Sequence, residues 1–384
     1  MGMNETAEAV VIGGGVVGLA VAYNLARRGM DDIVLLEKSY LGSGATGRCG
    51  AGIRQQWGTE MNCKLARASM DIFENMEERL KVDQDIGLKQ QGYLLLAYSE
   101  KEMAQFRKNI ELQNSLDIPS REVTPEEAED IVPHLNTEGV VGGAFCPTDG
   151  HADPFKVTDA YARAAERLGV DIRTYTPALD IELDSCGEVE AVITAEDRIS
   201  TGRVVNAAGG YSRQIGEMVG LNIPVKSERH EILVTERVEP VQGPMVMSFS
   251  YNIYCQQTPK GPFLMGFGDP EEPDSLNINS SWHFLEEMAD KAVNLLPLLK
   301  DLRVVRQWAG LYNITPDRQP IISESKSVSG FYMALGFSGH GFMIAPMTAN
   351  ILADMITGET PGIELELDPG RFERGDLILE PSVV

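Results

Sequence analysis

The sequence predicts an α/β chain (α+β overall), in which a parallel sheet layered with helices is interrupted by an antiparallel sheet. Three observations carry this. Residues 8–13 (EAVVIG) and 33–37 (IVLLE) are short apolar runs on either side of a helical pattern from Gly15 to Arg28. Strand, helix and strand in that order make a right-handed parallel unit. Residues 225–267 then turn β-rich in runs separated by tight turns, which predicts antiparallel pairing. The pattern finally returns to a strand at 331–335 and a helix at 346–357.

Each element has a local reason. Leu19, Ala22, Tyr23 and Ala26 recur at helical spacing, and Gly29 follows the last turn. A glycine-rich loop runs from Gly42 to Gly52, and a helix is expected over 60–80. Residues 92–98 (GYLLLAY) read as a strand and 100–115 as an amphipathic helix. Thr124-Pro125 and Asp153-Pro154 each pair a capping side chain with proline at the first helical position. Residues 170–173 and 203–207 (RVVNA) are expected as later strands of the parallel sheet. HEILVTE, MVMSF, NIYCQQ and PFLMGF supply the antiparallel sheet, followed by a helix over 282–295. The expected division is 1–85, 147–222 and 308–384 for one discontinuous domain, and 86–146 and 223–307 for the other.

Composition narrows the function classes. The 384 residues exceed one simple core and suit two intertwined domains. Hydrophobic residues make up 43% and charged residues 23%, as in an ordinary globular protein. Fifty-seven acids against 33 bases give a net charge of -24, which argues against nucleic acid and anionic membrane surfaces as partners. Solubility explains that charge more simply than docking to a basic partner. No apolar run approaches the roughly 20 residues of a membrane helix. Met1-Gly2 with Thr6 fits only a loose lipidation pattern, because a strand begins at once. A cytoplasmic location is the expectation. The five cysteines are odd in number and form no C-x-x-C, so no metal site or disulfide framework is expected.

Gly13-Gly14-Gly15-Val16-Val17-Gly18 is a G-x-G-x-x-G run that closes a strand and opens a helix. Glu37 ends the next strand, 19 residues after Gly18, with Lys38 beside it. This is the Rossmann-like dinucleotide context. Gly13 permits the turn, Gly15 lets backbone approach a pyrophosphate, and Gly18 lets helix and strand pack. The helix start, with Val16 and Val17, offers N–H groups to phosphate. Glu37 is suited to ribose hydroxyls.

The segment that follows separates FAD from a nicotinamide cofactor. Ser43, Gly44, Ala45, Thr46, Arg48, Cys49, Gly50, Ala51 and Gly52 form a loop of small residues that can lie along a large planar ligand. With Trp308–Tyr312, Thr315–Asp317 and Gly336–Phe342, this loop resembles the D-amino-acid oxidase type of FAD-dependent oxidoreductase, which includes glycine and sarcosine oxidases. The resemblance spans the chain. RCGAGIRQQ (48–56), PTDGHADPF (147–155), WAGLYNITPD (308–317), GFSGHGFM (336–343) and RFERG (371–375) resemble more narrowly the β subunits of archaeal dye-linked L-proline dehydrogenase and, less tightly, of heterotetrameric sarcosine oxidase. That resemblance implies FAD, a hetero-oligomer whose other subunit carries further redox cofactors, and an FMN at a subunit interface. No residue here points to the FMN directly. Ala178, Ala207, Ala208, Gly209, Gly310, Gly336, Gly339, His340, Gly341, Phe342 and Met343 complete the implied FAD contacts.

The implied chemistry is hydride transfer from the carbon beside the nitrogen of a small amino acid or secondary amine. A carboxylated substrate calls for an arginine fork, and Arg54 stands where sarcosine oxidase holds that carboxylate. Tyr312 and Met343 replace cationic residues of relatives, leaving Arg54 helped by a hydroxyl of Tyr312 or Tyr254. Leu311 stands near a flavin-linking cysteine of monomeric sarcosine oxidase, so the FAD is expected to be non-covalent. Leu264 stands where that oxidase has its oxygen-activating lysine, which favours a dehydrogenase. His230 and His340 are further candidates, the latter set between Gly339 and Gly341, and Tyr251 or Tyr254 is expected to close the pocket. Asp149 and His151 read as a turn and a helix approach with structural roles. Three alternatives stay open: a peroxide-producing glycine or sarcosine oxidase, an FAD-holding subunit without a substrate site, and a nicotinamide-dependent enzyme. GFSGHGF argues against the last.

Overall fold

The structure, a computed structural model, describes residues 4–363 and 365–381; Met1 and Gly2, with their loose lipidation pattern, lie outside them. A six-stranded sheet runs in the order Ile321–Glu324, Phe331–Leu335, Val204–Asn206, Ala9–Ile12, Ile33–Leu36 and Asp171–Arg173. Its pairings are parallel except that of Ile321–Glu324. All four residues of Ala9–Ile12 and of Ile33–Leu36 are buried, as an apolar strand covered on both faces requires. The Val16–Arg27 helix packs between the Pro154–Arg167 and Gly341–Thr357 helices on one face.

An eight-stranded sheet runs in the order Val304–Ile314, Lys226–Arg237, Pro262–Gly268, Ile253–Gln257, Met245–Ser248, Tyr93–Ala97, Gly142–Cys146 and Arg121–Val123. It is antiparallel with one exception, because Met245–Ser248 runs parallel to Tyr93–Ala97. That pair joins segments about 150 residues apart and seats the later β-rich stretch beside the earlier strand. Residues 308–314, grouped with the nucleotide layer in the sequence reading, lie in a strand of this sheet, paired with Lys226–Arg237.

Two elements differ from expectation. The 60–80 helix divides at Asn75, whose backbone (φ -113°, ψ 19°) leaves helical geometry, into Glu60–Glu74 and Met76–Leu80. The last long helix starts at Gly341 rather than 346, with Pro346 inside it. A proline there removes a single helical donor, so the apolar burial of the helix carries it through. A four-stranded sheet made of Asn4–Thr6, Arg198–Ser200, Val189–Ile193 and Asp180–Leu183 was not expected at all. The caps are as expected: Asp153 accepts from Phe155 N and Lys156 N, and Thr124 and Glu127 form a reciprocal capping box.

The tail is held by side chains. Arg371, 1% exposed, donates through Nε and Nη2 to Asp317 at 2.8 and 2.9 Å and through Nη2 to Gln319 O at 2.8 Å. The arginine of RFERG is thus an internal staple on the Thr315–Asp317 turn. Farther on, the Glu380 carboxylate accepts from Gly58 N, Thr59 Oγ1 and Asn62 Nδ2 at the start of the Glu60–Glu74 helix.

Candidate active site

Four loops follow the C-terminal ends of adjacent parallel strands: Gly13 after Ile12, Glu37 after Leu36, Ala207 after Asn206, and Gly336 after Leu335. Ligands of open parallel sheets bind along this edge. Gly13 has φ +121°, and a Cβ built on it would lie 2.4 Å from Ala207 O. A Cβ on Gly18 would lie 2.0 Å from Gly13 O, so the turn and the helix can meet only through glycine. The helix start at Gly15 carries no capping side chain, and neither does the second helix start, at His340. Both helices therefore present their positive ends at this edge. Thr46 Oγ1 accepts the Val16 N–H at 3.2 Å, which brings the glycine-rich loop against that helix. This cradle fits the pyrophosphate of a dinucleotide such as FAD.

Glu37 is buried. Its Oε2 accepts Gly14 N at 2.8 Å, and its Oε1 accepts Ser39 N at 2.8 Å and Ser43 Oγ at 3.3 Å. Oε2, with a single donor, keeps a lone pair that can accept a ribose hydroxyl. Lys38 Nζ sits 3.0 Å from the Tyr211 ring centroid. Thr176 N donates to Glu37 O at 2.8 Å, which places Ala178 close behind the same edge. Ala208 and Gly209 continue the loop after Ala207.

The glycine-rich loop is tied down elsewhere. Arg48 donates to Ser43 O at 3.0 Å and to Ala309 O at 2.9 Å, while Trp308 Nε1 donates to Arg48 O at 3.0 Å. A Cβ on Gly310 would lie 3.1 Å from Arg48 Cβ, so Gly310 admits this loop against the Val304–Ile314 strand. Gln256 Nε2 donates to Gly50 O at 3.0 Å, and a Cβ on Gly50 would lie 3.3 Å from Leu264 Cδ2. Leu264 therefore faces the loop with an apolar chain. Gly44 and Ala45 are exposed. Ala51, with φ +49°, turns the chain inward. At Gly52 a Cβ would lie 1.7 Å from Tyr93 Oη, so Tyr93 enters the site through that gap. Burial pushes the Cys49 thiol up to about 11.

Arg54 is the buried cation of the site. Its Nη1 donates to Gln56 O at 2.7 Å, and its guanidinium lies 3.9 Å from the Trp57 ring centroid and 5.5 Å from that of Phe249. Among the described residues no carboxylate lies within ion-pair distance of it. Burial lowers its pKa, opposed by the fields of Tyr93, Glu380 and Asp149. A buried guanidinium with spare donors calls for an anion. His340, 3% exposed, packs edge-on against Trp57 at 5.0 Å, and its Nε2 has no partner among the described residues. Burial and the field of Arg54 bring its pKa down to about 3, so the ring is neutral.

His230 lies between two tyrosines, 4.2 Å from Tyr312 and 5.7 Å from Tyr254 between ring centroids, with interplanar angles of 5°. Its Nε2 meets Tyr254 Oη at 3.2 Å. Burial brings its pKa to about 3 and raises both tyrosines, so all three are neutral. Two glycines make room for the tyrosines. A Cβ on Gly266 would lie 2.2 Å from Tyr254 Oη, and one on Gly339 would lie 2.5 Å from Tyr312 Cε2.

The candidates thus fall into three groups. The fingerprint, Glu37 and the 207–209 loop share the sheet edge. Arg54, His340 and Trp57 form a second cluster, and His230, Tyr254 and Tyr312 a third. Tyr251 lies apart, stacked on Tyr98 at 5.7 Å. Phe342 turns into the core against Phe73 at 5.7 Å, and Met343, half-buried, packs on the same core. The sequence reading missed Trp57 and Tyr93; it placed Asp149 at a turn with a structural role, and the structure buries it there. Trp57 could have been found from its place three residues after Arg54. The described residues include no group of three or more His, Cys, Asp or Glu able to hold a metal, and no helix long and apolar enough to cross a membrane.

Comparison with known proteins bears on the whole chain. The structure superposes on L-proline dehydrogenase from P. horikoshii with a TM-score of 0.92 and 38% identity, covering 98% of this chain and 100% of that one. Sarcosine oxidase subunit beta of Arthrobacter sp is 30% identical, over 97% of this chain and 93% of the relative. Human mitochondrial dimethylglycine dehydrogenase is also 30% identical, but the chain spans only 44% of that protein's length, and 45% of the rat relative's. Glycine oxidase from Geobacillus kaustophilus shares the fold with a TM-score of 0.86 at 24% identity. The FAD dependent oxidoreductase family model matches residues 8–355, and the chain belongs to that family.

Proposed function

We propose that this protein is an FAD-dependent dehydrogenase of a small carboxylated secondary amine, with L-proline or a sarcosine-like amino acid as substrate. The observation that carries the reading is Arg54, a buried guanidinium with spare donors and no carboxylate partner among the described residues. Bound FAD supplies a hydride acceptor for the substrate carbon beside the nitrogen. The chain's own residues bind and orient. Arg54 takes the substrate carboxylate through two parallel hydrogen bonds. The neutral His230–Tyr254 pair and Tyr312 form an uncharged wall, which favours the neutral amine over the ammonium. Trp57 and Phe249 exclude water around Arg54 and strengthen its pull on the carboxylate.

Leu264 against the glycine-rich loop, where an oxidase would use a cation, supports a dehydrogenase over a peroxide-producing oxidase. Leu311 packs on Gly210 and offers no nucleophile, which supports non-covalent FAD. The similarity to a sarcosine oxidase subunit beta supports work within a hetero-oligomer; a partner subunit with further redox cofactors is part of the proposal. Among the described residues nothing supports an interfacial FMN, and it forms no part of the reading. Five free cysteines support a reducing compartment, the cytoplasm. The segments 1–85, 147–222 and 308–384 form the FAD domain of this proposal, less the 308–314 strand, and 86–146 and 223–307 the substrate domain. Arg54→Ala tests it: affinity for carboxylated amines should fall about a hundredfold or more with FAD content unchanged. Unchanged affinity would refute the assignment.

A further inference from the structure

Asp149 is fully buried, yet among the described residues it forms no ion pair with a cation. It ends the turn after the Gly142–Cys146 strand and reaches across to the chain just beyond Arg54. Its Oδ1 accepts Gln55 N at 2.8 Å and Gln55 Nε2 at 3.3 Å, and its Oδ2 accepts Gln56 Nε2 at 3.0 Å. Gln56 in turn supplies the carbonyl that holds Arg54 Nη1 at 2.7 Å. One carboxylate therefore fixes both residues that follow Arg54, including the one that orients its guanidinium. An amide in its place would have to set an NH2 against one of these donors. A carboxylate accepts all of them, which explains an acid at a fully buried position.

Resting on the reading of Arg54 above, we infer that Asp149 is a positioning residue for substrate-carboxylate binding: in its ionised form it holds the Arg54 guanidinium, through Gln55 and Gln56, in the orientation that accepts the carboxylate.

A pH dependence follows. Burial raises Asp149 to about 6, although its bonds to Gln55 and Gln56 and the field of Arg54 pull it down. The other groups facing it are Arg54, Tyr93 on the neighbouring strand, Cys63 on the Glu60–Glu74 helix, and Cys146. Burial pushes Cys63 and Cys146 up to about 12 and Tyr93 higher still, while nearby His151 is lowered. Protonation of Asp149 as pH falls through about 6 removes an acceptor from the clamp, so carboxylate affinity should fall with it.

The test uses the FAD-loaded protein and acetate, a carboxylate that stays largely ionised from pH 7.5 to 5.5, with binding read from the flavin absorbance. Asp149→Asn should weaken acetate binding about tenfold or more at pH 7.5, leave FAD content unchanged, and abolish the loss of affinity toward pH 5.5. Wild-type affinity in the variant, or a retained pH dependence, overturns the proposal. If the variant does not fold, the wild-type series decides: affinity that stays flat from pH 7.5 to 5.5 overturns it. Arg54→Ala separates the two readings. Acetate binding lost in Arg54→Ala but kept in Asp149→Asn refutes the clamp alone, and binding kept in both refutes the Arg54 assignment as well.

Discussion

Removing the Arg371 side chain should destabilise the protein by about 3 kcal/mol. Breaking one side of a buried ion pair costs roughly 3–5 kcal/mol, because the remaining charge is left without its partner. The low end applies because Asp317 keeps two backbone donors, Gln319 N at 3.0 Å and Ile378 N at 3.3 Å. What Arg371→Ala removes is the two-pronged bond to Asp317 and the bonds to Gln319 O and Asp368 O. Urea denaturation at saturating FAD reads this as a lowered midpoint at unchanged slope. Burial raises the Asp317 pKa, but the Arg371, Gln319 and Ile378 bonds outweigh it and hold the carboxyl below its ordinary value. A depressed carboxylate contributes stability above its unfolded pKa, about 3.9, and loses it as pH falls through the folded value. The difference between wild type and Arg371→Ala should therefore shrink in acid below about pH 4. A difference under about 1 kcal/mol at pH 7, or one that grows in acid, would refute the staple.

Two further outcomes follow from the geometry. Gly13→Ala should yield protein without flavin absorbance, since φ +121° and the approach to Ala207 O leave no room for a methyl group; a yellow variant would contradict the cradle. At pH 8, iodoacetamide should label Cys186 first, because it is exposed, while burial pushes Cys49 up to about 11 and Cys63 and Cys146 to about 12; equal labelling of these four by mass spectrometry would contradict the burial.

Much of the sheet edge could be read from the sequence because its signals are local. Gly13, Gly15 and Gly18 lie within six residues between a strand and a helix, and Glu37 ends the next strand. Arg54 was legible as the charged end of a small-residue loop. Asp149 was legible as a turn residue, but its burial against the chain after Arg54 was not, because its partners Gln55 and Gln56 are 94 and 93 residues away, and a Thr-Asp-Gly turn is an ordinary surface signal. The same distance problem hid the Arg371–Asp317 staple, which spans 54 residues. The Asn4–Thr6 strand was missed because it is three residues long and pairs with Arg198–Ser200, about half the chain away. Pro346 drew the helix start five residues late, since proline more often opens a helix than sits within one.

The most direct test of the central claim is anaerobic mixing of the yellow protein with L-proline, sarcosine and glycine in turn, followed at the visible flavin band. The account predicts bleaching by L-proline or sarcosine, slow recolouring when air is admitted, and no bleaching by the same amine in Arg54→Ala. A flavin that stays yellow with every one of these amines, or that recolours at once in air, would contradict it.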